Sequence, residues 1–299
     1  MRNTLISVII PTHNSQYTIE NCLRSLKSQS YPREKYEIIV IDDGSTDRTV
    51  EISKNNGADK VIQIHSCFQG EARNIGVKNS SGEILAFIDS DCEAVDGWLS
   101  IIEKELVNNQ AIGGPVLNGN PHSSVAWADY LMEFSVFSEY KKRSVVEYVP
   151  GCNQICRKND FIQTGGYPEY RISEDVVLSQ SLKKNGVKII FVPELKIRHL
   201  CRTKLEKFLA NQKVLGAFSV KIGKKYESNY SKLISSRWKV PLIFIFKIAA
   251  KSRHAIKAKK FFKFLITLPF IILGSFSWCK GVWKEMGTPE QIGIKEEKT

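Results

Sequence analysis

Short apolar runs alternate with amphipathic stretches through the first ninety residues. Leu5-Ile6-Ser7-Val8-Ile9-Ile10, Tyr36 to Ile41, Val61 to Ile64 and Ile84 to Ile88 have the length and β-branched content of buried parallel strands. After the first run, Ile19, Cys22, Leu23 and Leu26 fall on one face of a helix that Asn14 or Ser15 can cap and Ser30-Tyr31-Pro32 ends. A short helix runs to Asn56-Gly57, with Gly57 as its stop. Gly70 to Asn79 reads as a third, closed by Ser80-Ser81-Gly82. Strand and helix alternate four times, which predicts an α/β fold with a mostly parallel, helix-covered sheet.

The pattern loosens beyond residue 92. Trp98 to Asn109 predicts an amphipathic helix, and Ala111 to Leu117 a strand interrupted by Gly113-Gly114-Pro115. Ser124 to Tyr140 has helical spacing, with Trp127, Leu131, Phe134 and Phe137 as its bulky positions. Val145 to Arg157 has strand character broken by Pro150-Gly151, and Gly165-Gly166-Tyr167-Pro168 is a turn. A helix then runs from Ser173, a good N-cap, to Gly186, with Glu174 and Asp175 in its first turn. Acids at a helix start are routine. The other reading is a carboxylate held at a pocket rim as a general base.

Two apolar runs stop abruptly in acids, one at Asp42-Asp43 and one at Asp89-Ser90-Asp91. Buried unpaired carboxylates are costly, whereas the carboxyl edge of an open parallel sheet is where ligands bind. Both tips lie on one edge of such a sheet and can face one pocket. Asp-x-Asp there suits Mg²⁺ or Mn²⁺ carrying a phosphorylated substrate. The alternative is a turn in which the Asp side chains cap local N–H groups. Arg73 lies between the two tips in sequence and fits a nucleotide-diphosphate site, or else is a solvated cation on a helix face.

Charge is distributed unevenly. From Lys196 to Lys263 there are nineteen Lys/Arg and two acids, a net of +17, against +12 for the whole chain; the remainder carries −5. A slightly acidic body with a basic tail predicts that the tail meets phosphates. The length allows one large domain plus an appendage, or two small domains. Seven scattered cysteines without a CxxC pair signal neither a disulfide framework nor a zinc site. The N-terminus has no signal-peptide pattern, so a reducing, cytoplasmic compartment is expected.

Five segments, Ser7 to Asn14, Ile41 to Asp47, Ala72 to Gly76, Phe87 to Asp91 and Ser173 to Asp175, in this order, resemble glycosyltransferase family 2. The resemblance covers roughly residues 5 to 200. It implies a GT-A fold, Rossmann-like, with helices on both faces of the sheet. It also implies a nucleotide-diphospho-sugar donor, Mg²⁺ or Mn²⁺, and inversion at the anomeric carbon. Pro11 and Asp43 would contact the base, with Asp42 beside them and Thr12 and Asn14 in the same donor site. Arg73 would lie near the base or ribose, and Asp89, with Ser90, would face the ribose or sugar. Asp91 would hold the metal, helped by His199. In the Glu174-Asp175 pair, Glu174 would belong to the donor site and Asp175 would be the catalytic base. Processive relatives carry a Gln-x-x-Arg-Trp motif after the base. Here Gln212 is followed by Lys213-Val214-Leu215-Gly216, and Arg237-Trp238 has Ile234 where Gln belongs, so transfer of one or a few sugars is expected.

The expected division is a catalytic domain over 1–203 and a basic, helical, membrane-associating region over 204–299. Lys204 to Lys225 reads as a basic helix, and Val240 to Ala250 is apolar apart from Lys247. Phe264 to Cys279 is sixteen uncharged residues broken by Pro269 and Gly274, short of the ~20 that span a bilayer. A tilted span, a surface-lying helix and a buried hairpin remain open. No base-reading motif accompanies the charge, so nucleic acid is not an expected partner. The expected acceptor is a glycan or lipid-linked hydroxyl, met by residues 115 to 170, with Trp127, Tyr130 and Tyr167 as candidate stacking groups, although aromatic residues of this kind more often pack in the core. The setting would be cell-envelope polysaccharide or glycolipid synthesis on the cytoplasmic face of the membrane. The alternatives are a sugar nucleotidyltransferase, which would want a Gly-rich loop that Pro11-Thr12-His13-Asn14 lacks, or a non-catalytic nucleotide-sugar-binding protein.

Overall fold

The computed structural model describes residues 5–65, 68–106, 110–168, 173–225 and 236–287. Met1-Arg2-Asn3, Cys67, Ile234 and the end of the helix expected to reach Asn109 lie outside the described residues. The chain divides into two compact units, Met1–Leu117 with Phe137–His199, and Asn118–Val136 with Leu200–Thr299.

The first unit is built on eight strands in the order β3-β2-β1-β4-β9-β6-β10-β8. β1 (Ile6–Thr12), β2 (Tyr36–Asp43), β3 (Lys60–Ile64) and β4 (Ile84–Phe87) are mutually parallel and arise from the four predicted runs. Their apolar continuity follows from burial on both faces: β1 is buried along its whole length. α1 (Ile19–Lys27) covers the sheet with Ile19, Cys22, Leu23 and Leu26, all fully buried as their spacing predicts. α2 (Thr49–Asn55) and α3 (Gln69–Lys78) complete the alternation.

Several expectations change. Ala111 to Leu117 is not one interrupted strand. β6 (Gln110–Gly113) lies in the large sheet, whereas β7 (Val116–Asn118) joins β5 (Cys92–Ala94) and β11 (Ile197–His199) in a three-stranded sheet. β8 (Ser144–Val145) and β9 (Gln154–Arg157) run antiparallel to their neighbours, β10 (Lys188–Phe191) among them. The sheet is therefore mostly parallel, as expected, with β8 and β9 as its antiparallel strands. α4 spans Trp98–Glu105, α6 Lys158–Gln163 and α7 Glu174–Lys184.

Two predicted caps do not form. α1 begins only at Ile19, and it is the backbone oxygen of Ser15 that accepts from the N–H groups of Thr18 and Ile19. Asn14, at φ 49°, turns its side chain to the N–H of Thr46. Ser173 precedes α7 at φ 65°, and its side chain makes no capping bond, because the left-handed backbone departs from the extended geometry that a capping residue uses.

The second unit is helical. The predicted helix 124–140 stops early: α5 is Ser124–Glu133, followed by a 3₁₀ turn at Ser135–Phe137. α5 buries Ala126, Tyr130 and Leu131 with Phe208 of α8 (Leu205–Lys225) and with Phe264 and Ile271 of α10 (Phe261–Glu285). That packing groups residues 118–136 with the C-terminal helices, not with the rest of 1–203. α9 spans Val240–Lys257. α10 runs unbroken for 25 residues through Pro269 and Gly274, longer than the apolar run predicts.

Candidate active site

The site grows from the carboxyl ends of β1, β2 and β4. Thr12 pairs with Asp42 across β1 and β2, and Ile9 with Phe87 across β1 and β4, so both acidic tips emerge on the same edge. Pro11 and Thr12 are buried in the last turn of β1. The Thr12 hydroxyl is buried with no protein partner among the described residues.

Loops join these tips. Asp42 is fully buried, and its carboxylate accepts from the hydroxyl and N–H of Ser45. It braces the loop rather than facing outward. Asp43 is half-buried, and its carbonyl meets His13 Nδ1 at 2.6 Å. Asn14 accepts from Thr46 N at 2.9 Å and donates its N–H to Ser45 Oγ at 2.8 Å. Ser15 Oγ and Ser90 Oγ lie 2.9 Å apart and connect the β1 loop to the Asp89-Ser90-Asp91 tip.

Arg73 is the hub. It is 1% exposed, not a solvated helix cation. Its guanidinium donates to Asp89 Oδ1 at 2.6 Å and to Glu174 Oε1 at 2.7 Å, and it lies 5.2 Å from the Tyr167 ring centroid. Burial works against that charge, but Asp89, Tyr167 and Glu174 more than offset it and hold the guanidinium protonated. Gln69 Nε2 adds a second donor to Asp89 Oδ1 at 2.9 Å. Arg73 is thus engaged by carboxylates.

Asp175 lies beside this pair. Its Oδ2 accepts from Gly151 N at 2.9 Å and its Oδ1 from Val176 N at 2.8 Å. Burial raises its carboxyl above the usual range; the two N–H groups and Arg73 oppose the rise, and the charge of Asp89 adds to it. Burial pushes Glu174 up to about 7, with Arg73 offsetting part of the effect. Gly151 closes the corner: a Cβ there would lie 3.2 Å from Asp175 Cβ and 3.3 Å from an Arg73 terminal nitrogen. The 3₁₀ turn carrying it, Gly151–Asn153, is pinned by Trp98 Nε1 donating to Asn153 Oδ1 at 3.1 Å and by Asn153 donating to Leu195 O at 2.8 Å.

The small sheet delivers the last group. β11 pairs antiparallel with β5, setting His199 opposite Cys92. His199 Nε2 is then 3.7 Å from Asp91 Oδ1. Asp91, Cys92 and His199 each offer a ligand atom within 4.8 Å of the others. Burial raises the Cys92 thiol well above its ordinary value, so at neutral pH it is a protonated thiol and a poor ligand for a hard ion. The carboxylate and imidazole fit Mg²⁺ or Mn²⁺ with positions left for phosphate oxygens, the imidazole suiting Mn²⁺ better.

The sequence reading did not identify Gly151, Gln69, Ser15 or Ser45. Gly151 had a signal only as part of a strand breaker, Ser15 only as a possible helix cap and Ser45 only as a member of the Ile41 to Asp47 segment. Tyr167 and Tyr130 are 3% and 2% exposed and belong to the core, so neither is a surface stacking group. Tyr167 packs edge-on to Phe87 and donates its hydroxyl to Gln154.

Among known proteins, Glycosyltransferase AglE of Haloferax volcanii is 35% identical over 187 residues, covering 58% of this chain. The chain spans only 60% of that relative's length. A Methanococcus voltae protein is 24% identical over 275 residues, covering 81% of this chain and 79% of its own. Its name is dolichyl N-acetyl-alpha-D-glucosaminyl phosphate 3-beta-D-2,3-diacetamido-2,3-dideoxy-beta-D-glucuronosyltransferase. In fold, the chain matches the mannosyltransferase PcManGT of Pyrobaculum calidifontis, solved with GDP-Man and Mn²⁺, at a TM-score of 0.65 and 16% identity. That likeness covers 95% of this chain and 87% of the other, and the fold is GT-A. The Glycosyl transferase family 2 domain is matched over residues 7–164, more than half of the sequence. With that match spanning four of the five motifs, the chain belongs to glycosyl transferase family 2.

Proposed function

We propose that the chain is an inverting glycosyltransferase. It moves a sugar from a nucleotide-diphospho-sugar to a hydroxyl of a glycan or lipid-linked acceptor, one or a few residues at a time. The observation that carries this reading is the gathering of Asp89, Glu174 and Asp175 about Arg73, next to the Asp91–His199 pair. The setting in this reading is cell-envelope polysaccharide or glycolipid synthesis, and the dolichyl-linked sugar phosphate in the Methanococcus voltae relative's name supports a lipid-linked acceptor. The absent Gln-x-x-Arg-Trp motif supports short transfer over polymer synthesis. No feature at the site favours a nucleotidyltransferase or a non-catalytic binding protein.

In this reading Pro11, Thr12, Asn14 and Asp43 receive the nucleotide, with the orphaned Thr12 hydroxyl as a ready partner for it. Asp42 keeps their loop in shape through Ser45. Asp89 and Ser90 face the ribose or sugar. Arg73 and Glu174 fix the position of Asp89 and of the start of α7. Asp91 and His199 would hold Mg²⁺ or Mn²⁺, which would neutralise charge on the departing diphosphate. Asp175 takes the acceptor hydroxyl proton as the new bond forms. Its raised carboxyl makes it a better base than a solvated Asp, and general-base assistance by a positioned group is worth ~10²- to 10⁴-fold. Base and leaving group on opposite faces of the anomeric carbon invert it.

The helices of the second unit carry membrane association in this reading, on the cytoplasmic face, with a functional division near residue 203. The test is release of free nucleoside diphosphate from a panel of nucleotide sugars, with Mn²⁺ and with glycan and lipid-linked acceptors present. Release from one donor, abolished by EDTA and by Asp175→Asn, is expected. No release from any donor overturns the reading.

A further inference from the structure

α10 is about 37 Å long at 1.5 Å per residue, enough to cross a bilayer, and its mean hydropathy reaches 1.7. Its packing points elsewhere. One flank is tied to α8 along its length. Gly216 of α8 abuts the backbone of Trp278, Gly281 of α10 abuts that of Lys213, and Ser277 Oγ donates to Leu209 O at 2.7 Å. α8 carries Glu206, Lys207, Asn211, Gln212, Lys213 and Lys221, and Gln212 is buried in a bond to Glu133. Taking α10 through hydrocarbon would drag these groups in or strip α8 away, and each is costly there.

The opposite flank is apolar and open. Phe262, Leu265, Ile266, Ile272, Leu273 and Phe276 recur at helical spacing and are 41–73% exposed. α9 presents a similar stripe at Leu242, Ile245 and Phe246, each more than half exposed. Between residues 236 and 284 there are eleven Lys/Arg and no Asp or Glu. Arg253, Lys257, Lys263 and Lys280 are exposed at the ends of these stripes. An apolar face bordered by these cations, with the one acid at the end of α10, Glu285, paired to Lys221, complements a bilayer surface with anionic headgroups.

We infer that α9 and α10 lie in the plane of an anionic membrane, with their exposed stripes inserted at the headgroup boundary, and that α10 does not cross. This rests on the membrane association proposed above and decides its mode. Phe276 beneath Lys280, 4.8 Å from ring centroid to Nζ, is a side chain that can bury its ring while the ammonium reaches a headgroup.

The full chain should float with phosphatidylcholine vesicles containing about 30% phosphatidylglycerol, and weakly with phosphatidylcholine alone. Phe262→Ser with Ile266→Ser and Phe276→Ser changes only exposed positions, so the fold should survive, as circular dichroism would check. Partition should fall ~100-fold. In sealed inside-out vesicles from producing cells, a membrane-impermeant maleimide should label Lys257→Cys and Lys280→Cys from the same side, above the background of the parent chain. Labelling from opposite sides overturns in-plane docking and leaves membrane association standing. No flotation with either vesicle overturns both. A stripe-dependent dimer without flotation would assign the face to a second copy and also overturns the proposal.

Discussion

The two units each hold a cluster of buried charge, balanced in opposite senses. At the sheet edge, Arg73 alone meets Asp89 and Glu174, with Asp175 close by, so acids are in surplus. In the helical unit, Asp129 and Glu133 meet Arg202, with Lys251 and Lys247 near Glu133, so cations are in surplus. Burial pushes the groups of the second cluster towards neutrality, lowering Lys247 to about 7 and Lys251 to about 8 and raising Glu133 to about 8. The first surplus raises its carboxyls and stands beside the Asp91–His199 pair, where a divalent cation would balance it. The acid excess thus lies at an open sheet edge beside a candidate cation site, whereas the cation excess lies among packed helices.

The largest expected effect breaks the first cluster at its base. Asp175→Asn should lower kcat by ~10²- to 10⁴-fold while the donor still raises Tm, because the amide keeps the shape but cannot take a proton. Wild-type turnover would remove Asp175 from the chemistry. Next, Arg73→Met leaves two carboxylates without their cation and should cost ~3–5 kcal/mol of stability, read by denaturant unfolding. Arg202→Met should cost less, ~1–3 kcal/mol, because that guanidinium is 33% exposed and Glu133 keeps bonds from Asn211 and Gln212. Equal losses would erase the contrast.

The pH dependences should also differ in sign. Glu174 has a folded value raised from 4.5 to about 7. Its contribution to stability is therefore fully present below about pH 4.5 and lost as pH rises through about 7, a swing of ~1–3 kcal/mol that Glu174→Gln should flatten. Lys247 has a folded value lowered from 10.5 to about 7, so its cost is present at pH 6 and relieved as pH rises from about 7 towards 10. Lys247→Met should then stabilise by up to ~1 kcal/mol at pH 6 and less at pH 9, although it gives up the contact over Trp278. A larger gain at pH 9 would reverse the assignment.

Much of the catalytic unit could be read before folding. The four apolar runs became β1 to β4, and the carboxylates ending two of them emerge on one edge, because parallel strands point their tips the same way. The site's interior was less legible. Arg73 carries the same residue type whether solvated or clamped; only Asp89 and Glu174 closing on it from distant segments make it a hub. Gly151 had a signal as a breaker but none as the donor to Asp175. In the tail, Pro269 suggested an interruption, yet packing on α8 and α5 carries the helix through it.

By itself the sequence determined the alternating α/β order, the acidic strand ends, the five family motifs and the separation of a basic tail. These are local properties, written in periodicity and in neighbouring residues. Tertiary structure alone decided that residues 118–136 pack with the C-terminal helices and which flank of α10 stays bare; the approach of His199 to Asp91 was implied only by the family resemblance, and the pairing of β11 with β5 makes it. The reason is range. A three-residue strand such as β11 has too little length to show a period, and its partner β5 lies about a hundred residues away in the chain.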